Sequence, residues 1–148
     1  MGISRRYFMK ILGLDLGDVH TGVAVSDPLG ITCQPLETIP TARLDQELPK
    51  VLKDHQIKEV VVGYPKTLRG TESKQTEKIV EHCKELEQQY PQCTWTLWDE
   101  RLTSKQANSI QRTNKKSKKP KDKLKIHSIA AALILESYLE YKKFHNTL

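Results

Sequence analysis

Along the first part of the chain, apolar and polar positions alternate with a period of two. Further on, helical spacing takes turns with short apolar runs. "MKILGLDLG" is apolar and strand-like, and residues 8–16 are read as a first strand. After a turn at "DVHTG", "VAVSD" forms a second strand and "TCQPLETIP" a weaker third. The short connections predict an antiparallel meander. Leu44, Leu48, Val51, Leu52 and His55 then fall on helical spacing, and "EVVVGY" is a short buried strand. Ile79, Val80, Cys83, Leu86 and Tyr90 mark a second helix before the strand "TWTLWDE". "TSKQ" reads as a capping box, with Thr103 as N-cap and Gln106 at N3, opening a short helix. The segment "NKKSKKPKDK" separates it from a final helix, "KIHSIAAALILESYL", which Asp122 could cap. His127 stands in that helix's first turn, on one stripe with Ala130, Ala131 and Ile134.

A meander followed by strand–helix–strand alternation predicts an α/β fold with a mixed sheet covered by helices. No repeat or linker divides the chain, so residues 1–148 are expected to form a single domain. Residues 113–123 form a lysine-rich mobile loop within it, because their composition cannot build a core.

Composition changes this picture in one place. The net charge is +6, and the stretch Arg112–Lys125 carries eight basic residues against one acidic, leaving the remainder slightly negative. Basicity gathered in one segment points to an anionic partner, most simply nucleic acid. The three cysteines, Cys33, Cys83 and Cys93, lack metal-type spacing and read as reduced thiols. "SRRYFMK" resembles a twin-arginine export motif, but Asp15 and Asp18 interrupt the apolar run that should follow it. With no apolar run of membrane-spanning length, the expected location is cytoplasmic, with no membrane association.

Candidate chemistry gathers at strand ends. In "KILGLDLGDVH", alternation puts Leu12, Leu14 and Leu16 on one face and Gly13, Asp15 and Gly17 on the other. A carboxylate flanked by glycines has room for a metal or a phosphate. "GYPKTLRGTES" follows the fourth strand with two cations, Lys66 and Arg69, that suit phosphate. "WDER" closes the fifth strand with Asp99, Glu100 and Arg101. Ligand sites in α/β sheets gather at the carboxyl ends of strands, so these groups could converge. Neighbouring strand residues point to opposite faces, so only one of Asp99 and Glu100 should share Asp15's site. Carboxylates from two strand ends suit Mg²⁺ or Mn²⁺, and such ions support phosphodiester hydrolysis.

Together, "ILGLDLGDVHTGVAVSD", "VVVGYP…GTES", "DERLTS" and "IHSIAAALILESYL" resemble the signature segments of the YqgF (RuvX) family, over residues 10 to 140. The resemblance implies an RNase H-like fold, with a five-stranded mixed sheet and helices on both sides. It also implies a metal-dependent nuclease with Asp15 and Glu100 as acids and a third ligand at His127, where the family usually has aspartate. Asp99 is then supporting rather than liganding. Lys66, Arg69, Arg101, Lys115, Lys116, Lys118, Lys119 and Lys121 are the expected phosphate contacts. At His127 three outcomes stand open: metal ligation that favours Mn²⁺ over Mg²⁺, a proton shuttle, or lost cleavage with RNA binding retained.

The expected function is processing of the 5′ end of the 16S rRNA precursor in ribosome biogenesis. The partner is that RNA or a ribosomal particle, and the protein is a monomer or weak dimer. A Holliday-junction resolvase and a catalytically impaired RNA-binding assembly protein are the alternatives. "LDLGDVHTG" also resembles the first phosphate loop of actin-like ATPases, but those need two such subdomains, for which 148 residues leave no room.

Overall fold

A computed structural model of the chain describes residues 9–64, 74–99 and 120–146. Five strands form one sheet: β1 (Ile11–Asp15), β2 (His20–Ser26), β3 (Cys33–Pro40), β4 (Glu59–Tyr64) and β5 (Thr94–Asp99). The helices described are α1 (Leu44–Asp54), α2 (Lys74–Gln89) and α3 (Pro120–Asn146), and a short 3₁₀ turn, Thr41–Arg43, leads into α1. The strand order is β3-β2-β1-β4-β5. β1, β2 and β3 pair antiparallel, whereas β4 lies parallel to both β1 and β5. The mixed α/β sheet with its antiparallel meander is therefore as the sequence pattern predicts.

β1 and β4 are buried on both faces, which explains why "ILGL" and "VVV" read as continuous apolar runs. β3 lies at an edge and carries Pro35 and Pro40, residues that suit a position outside the central ladder. Alternation then sorts the side chains into two cores. Leu12, Leu14, Leu16, Val23, Val25, Val60 and Val62 pack against Leu44, Leu48, Val51 and Leu52 of α1 and Ile79, Cys83 and Leu86 of α2. Ile11, Ala24 and Val61 pack on the opposite face against Ala131, Ala132, Ile134, Leu135, Tyr138 and Leu139 of α3. A single helix thus covers one face of the sheet, and two cover the other, among the described residues.

The α3 layer is unusually close. A Cβ on Gly13 would lie 2.9 Å from Leu135 Cβ and 3.0 Å from the Ala131 carbonyl oxygen. On Gly22 it would lie 1.8 Å from the His127 carbonyl oxygen and 2.2 Å from the carbonyl carbon. Helix backbone rests directly on strand backbone there, which only glycine permits. Other bonds tie α3 along its length. Thr38 Oγ1 donates to the Leu124 carbonyl at 2.5 Å and Cys33 Sγ to the Ala132 carbonyl at 3.2 Å. Trp98 Nε1 donates to Ser137 Oγ at 3.1 Å, and Glu59 holds both the Tyr138 hydroxyl and, at 2.8 Å, Lys142.

Two expectations are corrected. β1 begins at Ile11, and Met9 and Lys10 precede it outside the strand. α3 begins at Pro120, so residues 120–123 of the expected lysine-rich loop are helical and Asp122 lies inside the helix instead of capping it. Proline suits a first helical position because its missing N–H would go unused there. His127 consequently lies two turns into the helix, and the first-turn placement read from the sequence does not hold. The short helix expected from Thr103 and Gln106 lies outside the described residues. No helix among the described residues is long and apolar enough to cross a membrane.

Burial pushes the Cys33 and Cys83 thiols up to about 11, with Glu136 and Asp27 adding to the first and Glu87 to the second. At pH 8 these native thiols should stay largely unreactive toward iodoacetamide and become reactive in denaturant; rapid native alkylation would contradict the burial. Gly22→Ala should lower the unfolding free energy by about 3 kcal/mol or more, and Gly13→Ala by about 1–3 kcal/mol, since overpacking displaces backbone at the first site and mostly side chain at the second. Urea unfolding measures both, and equal or negligible losses would contradict the close approach.

Candidate active site

β1, β4 and β5 run parallel, so Asp15, Tyr64 and Asp99 close their strands at the same edge of the sheet. This is the carboxyl edge, where a parallel sheet leaves backbone and side chains open to a ligand. β1 is also where the antiparallel and parallel halves of the sheet meet. Asp15 alternates with Gly13 and so shares the face that α3 covers. On β5 that face belongs to Trp98, which bonds to Ser137 of α3 and pairs in register with Gly63. Asp99, paired with Tyr64, therefore points to the opposite face.

The corner around Asp15 is built by the β1–β2 turn. Asp15 pairs with Gly22 across the ladder, and Gly22 is the residue on which the α3 backbone rests at His127 and Ser128. The backbones of Asp15 and of His127 thus both adjoin Gly22. Ser128 is buried here and satisfies its hydroxyl within α3 by donating to the Lys125 carbonyl at 3.0 Å. The turn itself is held from β3's end. Thr41 N–H donates to the Val19 carbonyl at 2.8 Å, and Thr41 Oγ1 donates to the Gly17 carbonyl at 2.7 Å. The Thr41 hydroxyl also meets the fully buried Thr21 hydroxyl at 2.9 Å. Gly17 has no room for a side chain, since a Cβ would lie 2.4 Å from the His20 carbonyl oxygen.

One residue here escaped the sequence reading. His20 opens β2 and stacks on His127, with ring centroids 5.2 Å apart and planes inclined by 30°. Alternation from Gly22 and Ala24 would have placed it on the α3 face.

The other expected site residues lie outside the described residues: Glu100, Arg101, Lys66, Arg69, Lys115, Lys116, Lys118 and Lys119. Lys121 falls in the first turn of α3. No three His, Cys, Asp or Glu side chains among the described residues are grouped to hold a metal ion. Asp15 offers a hard oxygen and His127 an imidazole nitrogen, so an ion at this corner needs a further oxygen donor, and Glu100 is the candidate from the sequence.

The strand order and the two helical layers define an RNase H-like fold. RuvC of T. thermophilus, solved in complex with a Holliday junction substrate, superposes with a TM-score of 0.61 over 92% of this chain and 96% of its own, at 17% identity. At that identity the likeness shows the fold. The family model for RuvX, described as Holliday junction resolvase, matches residues 9–141, and the chain belongs to that family. A protein of Acetivibrio thermocellus, provisionally named a pre-16S rRNA nuclease, is 43% identical over 139 residues, covering 90% of this chain and 97% of its own. Another of Carboxydothermus hydrogenoformans, under the same provisional name, is 38% identical over 137 residues, covering 90% and 98%. The resemblance noted in the sequence is thus sound at the level of family and fold.

Thr41→Val should leave the Gly17 carbonyl and the buried Thr21 hydroxyl short of a partner, at a cost of about 1–3 kcal/mol. Hydrogen exchange should accelerate over residues 16–20 more than elsewhere; uniform exchange with no loss in urea stability would show that Thr41 does not hold the turn.

Proposed function

We propose that this protein is a metal-dependent nuclease that hydrolyses phosphodiester bonds in structured nucleic acid, acting on the 5′ end of the 16S rRNA precursor in the cytoplasm. The observation that carries the proposal is the corner itself: Gly22 seats His127 of α3 beside the strand pair that carries Asp15. The relatives named pre-16S rRNA nucleases support the choice of RNA over junction DNA.

In this reading Asp15, Glu100 and His127 hold the ion, and the imidazole favours Mn²⁺ over Mg²⁺. When bound, the ion polarises the scissile phosphate and supplies an activated water. The protein's own contribution is position. Strand backbone fixes Asp15, and the helix backbone pressed on Gly22 fixes the Cα of His127, so the two donors would meet the ion with little reorganisation. Asp99, on the opposite face, supports the strand end and does not touch the ion. Lys66, Arg69, Arg101 and the lysines at 115, 116, 118, 119 and 121 take the flanking phosphates, in a single domain working as a monomer or weak dimer. Lysines 115, 116, 118 and 119 stand in the segment that also holds Lys121, at the start of the helix bearing His127.

Purified protein should cleave a structured RNA carrying the 5′ precursor sequence, faster with Mn²⁺ than with Mg²⁺ and faster than it cuts a four-way DNA junction. Asp15→Asn should reduce the rate by about 10²-fold or more, while RNA affinity falls steeply with salt in both proteins. Salt-dependent binding without cleavage in either metal would favour the RNA-binding reading of His127. Cleavage unaffected by Asp15→Asn would overturn the assignment of the site.

A further inference from the structure

His20 has no part in the ligand set expected from the sequence, yet it is the side chain that touches the His127 ring. The two imidazoles stack at 5.2 Å between centroids, with 30° between planes. Each is partly exposed, so the pair lies at the surface of the corner and not in the core.

Both backbones under this pair are held. On the helix side, Gly22 meets the His127 carbonyl directly, and buried Ser128 bonds back to Lys125. On the strand side, His20 opens a β2 turn that Thr41 clamps through Val19 and Gly17, next to a glycine that its own carbonyl crowds. What remains free in His127 is rotation of its side chain, and a ring stacked from one side loses much of that freedom. A histidine that serves a metal is commonly oriented by a partner at its other ring nitrogen. Here the orienting contact that the structure shows is a second aromatic face.

We propose that His20 is a positioning residue for His127: by stacking on its imidazole, it holds the ring in one orientation at the Gly22–Asp15 corner. The role rests on the reading of His127 as a ligand in the nuclease site. It is distinct from ligation by His20 itself, because stacking needs a ring and not a nitrogen. Phenylalanine can therefore replace His20 in this role, whereas alanine cannot.

The test uses the full-length protein and Mn²⁺ as probe, with calorimetry for affinity, a precursor-RNA cleavage assay for rate, and NMR of the His127 ring protons in the metal-free protein. His20→Ala should weaken Mn²⁺ binding and slow cleavage by about tenfold each, the lower end for loss of a ligand-orienting partner. It should also abolish the ring-current displacement of the His127 protons, with the urea midpoint nearly unchanged. His20→Phe should restore the displacement and most of the affinity and rate. If phenylalanine fails as badly as alanine while the displacement returns, His20 acts through its nitrogen and the positioning role is overturned. If His20→Ala changes neither the ring protons nor Mn²⁺ affinity while His127→Ala abolishes binding, the proposal falls and the nuclease site stands. If neither His127→Ala nor Asp15→Asn affects Mn²⁺ binding, the site assignment falls, and the NMR comparison alone decides whether His20 orients the ring.

Discussion

The structure depends on a backbone-to-backbone contact between α3 and the middle of the sheet. At Gly22 a side-chain carbon would sit 1.8 Å from a helix carbonyl oxygen, well inside any tolerable separation. Glycine in a strand interior costs order, since it loses more conformational freedom on folding than any other residue. The cost is offset because strands β1 and β4 are buried from both sides and small residues, Ala131 and Ala132, line the approaching helix. A larger residue at position 22 would lift the helix, and with it His127, off the strand pair that carries Asp15. The packing constraint and the placement of the candidate site are therefore the same contact.

The site's chemistry follows from where this contact falls. It lies near the carboxyl edge of the sheet, where the antiparallel meander gives way to parallel strands. The meander returns β2 beside Asp15, and the parallel strand β4 separates Asp15 from Asp99. Because β5 alternates, Asp99 faces away from Asp15's side of the sheet. In the proposed site His127 would add a nitrogen donor, and a second histidine, His20, stacks on its ring with the planes inclined by 30°. An imidazole carries no charge to draw it to a cation, so its orientation counts for more than a carboxylate's would. That is the physical sense of finding an aromatic wall beside it.

Much of the fold was legible because burial leaves a local trace. "KILGLDLG" shows its two faces by alternation, and "EVVVGY" shows a central strand by being apolar throughout; both correspond to strands of the structure. Asp15 stood out for a local reason too, as a carboxylate between glycines. For His20 alternation gives the face, but nothing local marks its contact with His127. His20 follows a glycine turn, where a polar residue is ordinary, and its partner ring is far away in sequence on α3. The start of α3 was misplaced for another reason: the lysine run hides helical periodicity, and Pro120, a good first helical residue, reads in isolation as part of a loop. Which face Asp99 takes needed the β4–β5 register, which no local pattern contains.

Asp15 and His127 are proposed to form one metal site on the α3 face, with His20 stacked on His127. A crystal structure of the protein with Mn²⁺ tests it most directly. The account predicts an ion bound by Asp15, Glu100 and the His127 imidazole, with the His20 ring still packed on His127 and Asp99 turned to the other face. An ion bound elsewhere, or one held by Asp15 while the His127 ring points away from it, would contradict the account.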